Sequence, residues 1–418
     1  MPLRNMFVDF NAYFASVEQQ AQPRLRGRPV AVVPVESDST CCIAASHEAR
    51  AYGIKTGTRV GDARRMCREL EIVRARPSLY VNYHHALLEA IEQCIPISKI
   101  CSVDEVDCEL MGSERSRERS LAIARQIKQS IAENVGEYLR CSIGIAPNTF
   151  LAKTATEIQK RNGLVVIEEK DLPHCLYGLK LRDLCGVGSR MERRLYLNGI
   201  VTVRQLCEAS QEQLHLVWGS IEGDRFYNAL RGKVVSRPPT QRATLNHSHV
   251  LGPEMRNEAG AYATLSRLLQ KGATRMRQEG FATNSMEVCI KFTDETYWWL
   301  KREFDYTDNT LVLVDELRNL WRQNPRRRDE PKQVSITLQH LKPIKECNLS
   351  LFEERKAPCE VVDYLNARFG RMKVYLGGAH QARTEAAQPI AFNFVPEMEK
   401  RAAARKKTVN GEPLGLLP

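Results

Sequence analysis

Residues 1–165 alternate between the two hydrophobic periods of regular secondary structure, and this alternation limits the fold more than any other feature. Apolar runs with the composition of strands occupy residues 6–10, 29–33, 100–110 and 141–146. Residues 11–20 have helix-forming composition, 83–94 are an amphipathic helix candidate, and 121–135 show a helical stripe of apolar residues. Pro147 and Asn148 mark a further helix start. The order of these segments predicts an α+β fold in which a small mixed sheet carries helices on one face.

The rest of the chain divides where its composition changes. Residues 168–232 have helical composition, and 233–242 form a polar link with two prolines, which predicts a domain boundary. A second α/β segment covers 243–376, with expected helices at 260–278 and 360–369 and expected strands at 286–292, 311–314 and 334–338. Residues 377–418 are rich in Ala, Gln, Lys and Arg, which predicts a flexible basic tail.

Charge is distributed unevenly along the chain. The formal net charge is +11, and residues 233–418 hold 30 basic and 22 acidic residues, whereas residues 1–232 hold 31 and 28. A basic C-terminal half suits an anionic polymer as partner, and a solvated surface explains the same excess equally well.

Composition also disfavours several classes of protein. No stretch approaches the ~18 uninterrupted apolar residues of a membrane span, so we expect no membrane partner. Asp9 interrupts the first apolar run and no small-residue cleavage pattern follows, so we expect no secretory signal. The 13 cysteines include no C-x-x-C pair, which predicts reduced thiols in a cytoplasmic protein without a zinc site or disulfide frame.

Three carboxylates lie among apolar strand residues. Asp9 ends the first strand, and Asp104 and Glu105 lie together in the strand-turn-strand segment. Burying an unpaired carboxylate is unfavourable, and divalent cations that share an aspartate would satisfy it and could align a hydroxyl with a phosphate. Acids in solvated turns, or acids paired with Arg or Lys, are the simpler interpretation, and spacing alone favours it.

Five blocks of sequence change that weighting, because together and in this order they resemble the Y-family translesion DNA polymerases. The opening has F-V-D-F-N-A-Y-F-A-S-V-E at 7–18 and P-x-L-x-G-x-P-V-A-V at 23–32, followed by A-S-H-E-A-R-A-Y-G-I-K at 45–55. The acid pair lies in S-V-D-E at 102–105. The last block has S-I-G-I-A at 142–146, F-L-A-K at 150–153 and K-R-N-G-L at 160–164.

The resemblance implies a multidomain right-hand polymerase. It places a mixed-sheet palm in 1–14 and 78–167, small fingers in 15–77 and a helical thumb in 168–232. After the linker at 233–242, it places an α/β little-finger domain in 243–376. It implies primer-template DNA and deoxynucleoside triphosphates as partners, and a prokaryotic source. The motifs fit the DinB-like and UmuC-like branches alike.

The resemblance also gives the acids roles. Asp9 and Asp104 would bridge two Mg²⁺ ions, Glu105 would complete the ion that activates the primer hydroxyl, and the Phe10 carbonyl would be a backbone ligand. Asn11 stands where the family often has Asp.

The same resemblance assigns residues to the incoming nucleotide. Its triphosphate would be bound by His47, Arg50 and Lys160, with His47 at a position where many members have Tyr. Cys41 and Ile43 would line the pocket over the nascent base pair. Phe14 matches the family's steric gate, an aromatic ring that excludes a 2′-hydroxyl. Surface charges and ordinary core packing are the alternatives for these residues.

A helix-hairpin-helix is indicated by L-C-G-V-G at 184–188 with its following apolar residues. Gly186 and Gly188 would let the backbone approach a DNA phosphate, with Arg190 beside them. Arg242 and Arg256 are further candidate phosphate contacts in the basic C-terminal half. A glycine turn between packed helices is the alternative.

Residues 348–352 resemble the peptide that docks bacterial polymerases on the sliding clamp. The segment has Asn348 in place of the usual Gln, followed by Leu349, Leu351 and Phe352. A short edge strand would have the same composition.

These patterns together predict a low-fidelity, template-directed DNA polymerase that acts in DNA repair and SOS mutagenesis at the nucleoid. A catalytically silent adaptor of the same fold is the alternative, but such adaptors lose the three acids. A nucleotidyl cyclase on a related palm would need neither a helix-hairpin-helix nor a basic C-terminal domain. The motifs leave open whether accessory subunits are required.

Overall fold

The computed structural model describes residues 1–236, 242–347, 357–370 and 372–383. They form two compact units, one made of residues 1–236 and the other of the described residues from 242 onward. Each unit has its own clusters of buried apolar side chains.

The first unit begins with alternating strands and helices. Up to residue 110 its elements are β1 (Asn5–Phe10), α1 (Tyr13–Ala21), β2 (Val30–Val33), β3 (Ala44–Ala45), α2 (His47–Ala51), α3 (Val60–Met66), β4 (Glu71–Arg74), α4 (Pro77–Glu92), β5 (Lys99–Ile100) and β6 (Glu105–Glu109). The elements that follow are α5 (Arg117–Asn134), β7 (Cys141–Ala146), α6 (Thr149–Ile158), β8 (Leu164–Val166), α7 (Ser189–Leu197), α8 (Val203–Glu208), α9 (Gln211–Trp218) and α10 (Glu222–Leu230).

A mixed five-stranded sheet forms the centre of this unit. Its strand order is β5, β6, β1, β7, β8. β1 pairs antiparallel with both β6 and β7, whereas β7 and β8 run parallel. The predicted strands at 6–10, 100–110 and 141–146 all contribute to it, so the predicted mixed sheet is present.

Helices cover both faces of this sheet, and the predicted single helical face is wrong. Met6 and Val8 of β1 pack with the apolar residues of α4 and α5. Phe7 projects to the other face and packs with Leu151 and Ala155 of α6. A strand buried on both faces needs apolar residues at successive positions, and β1 has them.

A smaller three-stranded sheet lies between α1 and α4 in the chain. Its order is β3, β2, β4, with β2 and β4 parallel. Ser46 caps α2, because its Oγ accepts a hydrogen bond of 3.2 Å from the Ala49 amide. The cap determines where the short helix that carries His47 and Arg50 begins.

The second unit is an α/β body. Its elements are β9 (Thr244–Val250), α11 (Glu258–Gln278), β10 (Phe281–Phe292), β11 (Tyr297–Thr307), α12 (Thr310–Arg322), β12 (Pro331–Gln339), β13 (Lys342–Pro343) and α13 (Ala357–Phe369). The sheet has the order β11, β10, β12, β9, and β13 pairs with β10. Its apolar face packs against α11 and α12.

Two predictions for this unit are wrong. Residues 311–314 lie in α12 and not in a strand, because their apolar run continues the helical stripe of Leu313, Leu317 and Leu320. The predicted flexible tail also begins too early. Gly377–Ala382 form a 3₁₀ helix in which Ala379 and Ala382 are fully buried. Residues 384–418 lie outside the described part of the chain.

Within the described residues, no helix combines the length and apolar composition that crossing a membrane requires. The 13 cysteines all lie in the described ranges, and none of them forms a disulfide.

Candidate active site

Two of the three predicted metal-binding acids lie opposite each other on neighbouring strands. Asp9 of β1 pairs with Glu105 of β6 in the antiparallel ladder, so their side chains project from the same face. Asp104 comes just before β6, and its carbonyl oxygen accepts a hydrogen bond of 2.9 Å from the Phe10 amide. The sheet therefore gathers all three acids where β1 ends and β6 begins.

Burial changes the acidity of this group. Burial raises the pKa of Asp9 to about 6, and the carboxylates of Glu105 and Asp104 add to the increase while Lys160 opposes it. Burial also raises the pKa of Asp104, against a hydrogen bond of 2.5 Å from the Ser102 hydroxyl. The site therefore stabilises positive charge placed beside the acids.

Two lysines supply such charge. Nζ of Lys160 lies 3.2 Å from Oδ2 of Asp9, and Nζ of Lys153 lies 2.6 Å from Oε1 of Glu105. Lys153 projects from α6, which covers this face of the sheet.

The donor set fits Mg²⁺, which prefers carboxylate and carbonyl oxygens. The ammonium groups of Lys153 and Lys160 supply the positive charge that a bound metal ion would otherwise give to Glu105 and Asp9. In the described part of the chain, no three His, Cys, Asp or Glu side chains converge on one metal position. Metal binding would therefore require the ammonium groups of Lys153 and Lys160 to move away from Glu105 and Asp9.

The neighbouring acid Asp107 has a supporting role. It is buried, and it accepts hydrogen bonds of 3.1 Å from Asn5 and 2.9 Å from Thr149. These contacts link β1, β6 and α6 two residues beyond Glu105.

Basic side chains gather near Asp9. Burial lowers the pKa of His47, and the positive charges of Arg50 and Arg161 lower it further. The imidazole is therefore neutral at physiological pH and can donate one hydrogen bond. Arg50 donates to the Ala45 carbonyl at 3.2 Å, and its charge also acts on Asp9. Of the three predicted triphosphate-binding residues, Lys160 contacts Asp9 and Arg50 acts on it electrostatically, whereas His47 interacts with Arg50 and Arg161.

The predicted steric gate, Phe14, lies on the first turn of α1. It is 3% exposed, and its ring stacks on Tyr80 with centroids 4.5 Å apart. Of the residues predicted to line the base-pair pocket, Ile43 packs against the cluster that contains Phe10 and Phe14, whereas Cys41 is exposed.

Comparison with known proteins decides the family. The profile of the impB/mucB/samB family matches residues 8–157, that of its C-terminal domain matches 243–351, and a DNA polymerase-iota thumb-domain profile matches 182–233. DNA polymerase IV of Moorella thermoacetica is 30% identical over 384 residues, which cover 88% of this chain and 94% of that protein. The chain belongs to the Y family of DNA-directed DNA polymerases.

Solved structures share the fold of this Y-family polymerase. A chimera of the Dbh and Dpo4 polymerases superposes with a TM-score of 0.66 at 23% identity, over 83% of this chain and 100% of the chimera. An insertion ternary complex of Dbh DNA polymerase gives a TM-score of 0.54 at 22% identity, over 81% and 99%. The predicted multidomain α+β polymerase fold is therefore confirmed.

A cleft of about 400 Å³ lies beside the active site of this Y-family polymerase. It is lined by Lys153 and Glu157 of α6 and by residues 182–188. Gly186 has φ +87°, which favours glycine, and an added Cβ there would meet no atom within 4 Å. Gly188 precedes α7, and Arg190 is exposed on its first turn. Gly186 and Gly188 therefore line the cleft, and the exposed Arg190 follows Gly188 by two residues.

The two arginines predicted as DNA contacts in the second unit are engaged within it. Arg242 forms an ion pair with Glu279. Arg256 donates to the Leu251 carbonyl at 3.2 Å and lies 3.9 Å from Glu330. Their contact with DNA stays a prediction. The predicted clamp segment, with Asn348, Leu349, Leu351 and Phe352, lies outside the described residues.

Sequence reasoning did not identify Lys153 as a contact of Glu105. The only local signal for Lys153 was that it ends the F-L-A-K block, which follows the S-I-G-I-A strand. The salt bridge to Glu105 joins residues that are distant in sequence, so spacing alone could not reveal it.

Proposed function

We propose that this polymerase carries out low-fidelity translesion synthesis by nucleotidyl transfer with two Mg²⁺ ions. The observation that carries the proposal is the cluster of Asp9, Asp104 and Glu105 at adjoining strand ends, with Lys153 and Lys160 in contact with two of them. Burial also raises the pKa of Asp9 to about 6, and perturbed acids of this kind are common at functional sites.

The acids would hold the reacting groups. Asp9, Asp104 and Glu105 would hold the two ions, and the Phe10 carbonyl would add a backbone oxygen. Bound Mg²⁺ would favour the alkoxide form of the primer 3′-hydroxyl and neutralise charge on the transferred phosphate. The hydrogen bond from the Phe10 amide to the Asp104 carbonyl keeps the end of β1 next to the start of β6, so the acids stay close together.

The basic residues would receive the triphosphate. Lys160 contacts Asp9, Arg50 acts on Asp9 electrostatically, and neutral His47 interacts with Arg50, so all three would be suited to bind phosphate oxygens as donors. Cys41 and Ile43 would contact the nascent base pair, and Phe14, on the first turn of α1, would exclude a ribose 2′-hydroxyl.

DNA would be held without sequence readout. The amides of Gly186 and Gly188, with Arg190, are available to one backbone phosphate at the cleft. Arg242 and Arg256 would add contacts from the second unit, and Leu351 with Phe352 would dock on a sliding clamp. DNA as substrate would place the enzyme in the cytoplasm at the nucleoid.

Primer extension opposite an abasic site tests the proposal. With Mg²⁺ and all four deoxynucleotides, we expect insertion opposite the lesion and extension beyond it. Asp104→Asn should bind the same primer-template with similar affinity and extend nothing. Extension on undamaged template that stops at the lesion would contradict the translesion role. DNA binding without any extension would favour the adaptor.

A further inference from the structure

The segment between Lys160 and Gly163 forms a tight left-handed turn. Arg161 and Asn162 have φ +73° and +67°, a conformation that residues other than glycine adopt infrequently. A Cβ added at Gly163 would lie 1.8 Å from the Gln159 carbonyl oxygen, so the turn closes directly against the end of α6. Two adjacent residues in this conformation persist only when their surroundings hold them.

Asn11 holds one side of the turn. Its Oδ1 accepts a hydrogen bond of 2.7 Å from the Asn162 amide, and its Nδ2 donates to Ser142 Oγ at 3.1 Å. The same Nδ2 lies 3.4 Å from the carbonyl oxygen of Asp9. Asn11 is 4% exposed, so its polar atoms depend on these partners. The side chain thus joins the strand that carries Asp9 to the turn.

Lys128 holds the other side. Its Nζ donates to Oδ1 of Asn162 at 2.7 Å, to the Asn162 carbonyl at 3.0 Å and to the Cys141 carbonyl at 2.6 Å. Between them, Asn11 and Lys128 take up the amide, the carbonyl and the side-chain oxygen of Asn162.

The turn carries positive charge into the active site. Lys160, at its first position, reaches Asp9 at 3.2 Å. Arg161 acts electrostatically on both His47 and Arg50. Displacement of the turn would therefore move the cations that face the proposed triphosphate site.

We propose that Asn11 is a positioning residue for the incoming nucleotide, which locks the 160–163 turn so that Lys160 and Arg161 meet the triphosphate. The inference rests on the proposed function of this site. Its chemistry is specific: position 11 must accept a hydrogen bond from the Asn162 amide. Aspartate retains that acceptor, whereas alanine has none.

Single-nucleotide insertion by the full-length protein tests this role. For Asn11→Ala, we expect the KM for deoxynucleotide to rise about tenfold, the effect of losing a buried acceptor, with kcat within about twofold of the parent. The affinity for primer-template should not change. Asn11→Asp should stay within about threefold of the parent KM, since it retains the acceptor.

Hydrogen exchange of the Asn162 amide gives a readout independent of activity. It should speed up in Asn11→Ala and stay slow in Asn11→Asp. Asn5→Ala is the matched control, because Asn5 lies on the same strand and donates to Asp107 at 3.1 Å, away from the turn. Lys128→Met should raise the KM as Asn11→Ala does, which keeps a test available if one variant folds poorly.

An unchanged KM in Asn11→Ala, or an equal rise in Asn5→Ala, would overturn the inference. A loss of kcat at constant KM would overturn it too. If the parent inserts no nucleotide, the proposed function fails instead, and unaltered exchange at Asn162 in Asn11→Ala would then refute the hydrogen-bonded lock by itself.

Discussion

Nζ of Lys160 lies 3.2 Å from Oδ2 of Asp9, so a cation assigned to the triphosphate touches an acid assigned to the metal ions. Lys160 also forms a salt bridge of 2.6 Å with Glu157. The lysine therefore has a second carboxylate to hold it when Asp9 takes a metal. The proposed metal and nucleotide sites would therefore be linked through the side chain of Lys160.

The three acids should be essential for extension. Asp9→Ala, Asp104→Ala and Glu105→Ala should each lower the extension rate by several orders of magnitude and leave primer-template binding nearly intact, because activation of the nucleophile and neutralisation of charge are lost together. Asp107→Asn is the matched control, since this buried acid lies on β6 with Glu105 but contacts Asn5 and Thr149. Near-normal extension by any of the three alanine variants would refute the assignment.

The buried carboxyl of Asp9 should make the stability of the metal-free protein depend on pH. Its pKa of about 6 lies above the usual 3.8, so the folded state binds a proton more readily than the unfolded state. Stability should therefore fall as pH rises from about 4 through about 6, and stay lower above that. Near neutral pH without Mg²⁺, Asp9→Asn should raise the free energy of unfolding by up to about 3 kcal/mol in urea titrations.

The same titrations repeated with Mg²⁺ separate this effect from general packing. Added metal should stabilise the parent, because it binds the folded acids, and should leave Asp9→Asn nearly unchanged. A parent and variant with identical pH profiles would mean that Asp9 is not the buried titrating group.

Phe14 should determine the choice of sugar. Deoxynucleotides and ribonucleotides differ by one hydroxyl, and an apolar pocket alone rejects an added hydroxyl by only about a hundredfold. Phe14→Ala should raise kcat/KM for ribonucleotides by at least about a hundredfold while deoxynucleotide extension persists, because a steric clash is removed. Tyr13→Ala, which removes a hydrogen bond of 2.6 Å to the Tyr80 carbonyl, should lower stability without relaxing sugar choice. Equal discrimination by Phe14→Ala and the parent would make Phe14 a core residue.

The glycine turn before α7 should contribute to DNA affinity. Because Gly186 has φ +87°, Gly186→Ala strains the turn without meeting a neighbouring atom, and we expect weaker primer-template binding. Arg190→Ala should reduce the slope of log affinity against log salt by ~0.9 if it contacts one duplex phosphate. Gly178→Ala is the control, since that glycine has open space around it and no positive φ. Unaltered affinity and salt slope in both Gly186→Ala and Arg190→Ala would refute the proposed contact of this turn with DNA.

Local pattern was enough for much of the fold. Alternating periods located β1, α5 and β7 correctly, because the run or spacing of apolar residues in each element reflects which of its own positions are buried. The apolar run at 311–314 was predicted as a strand, but it lies in α12, where Leu313, Leu317 and Leu320 pack in the core of the second unit. Burial of Ala379 and Ala382 likewise depends on a docking surface that the tail sequence does not encode locally.

The sequence by itself determined the family, and its motifs predicted that Asp9, Asp104 and Glu105 carry the chemistry. Only the tertiary structure decided what those residues touch. Asp9 lies opposite Glu105 because β1 and β6 pair in one register, and α6 brings Lys153 onto Glu105 across the sheet. Such contacts join residues far apart in the chain, and their geometry depends on strand register and helix packing, which no local period specifies.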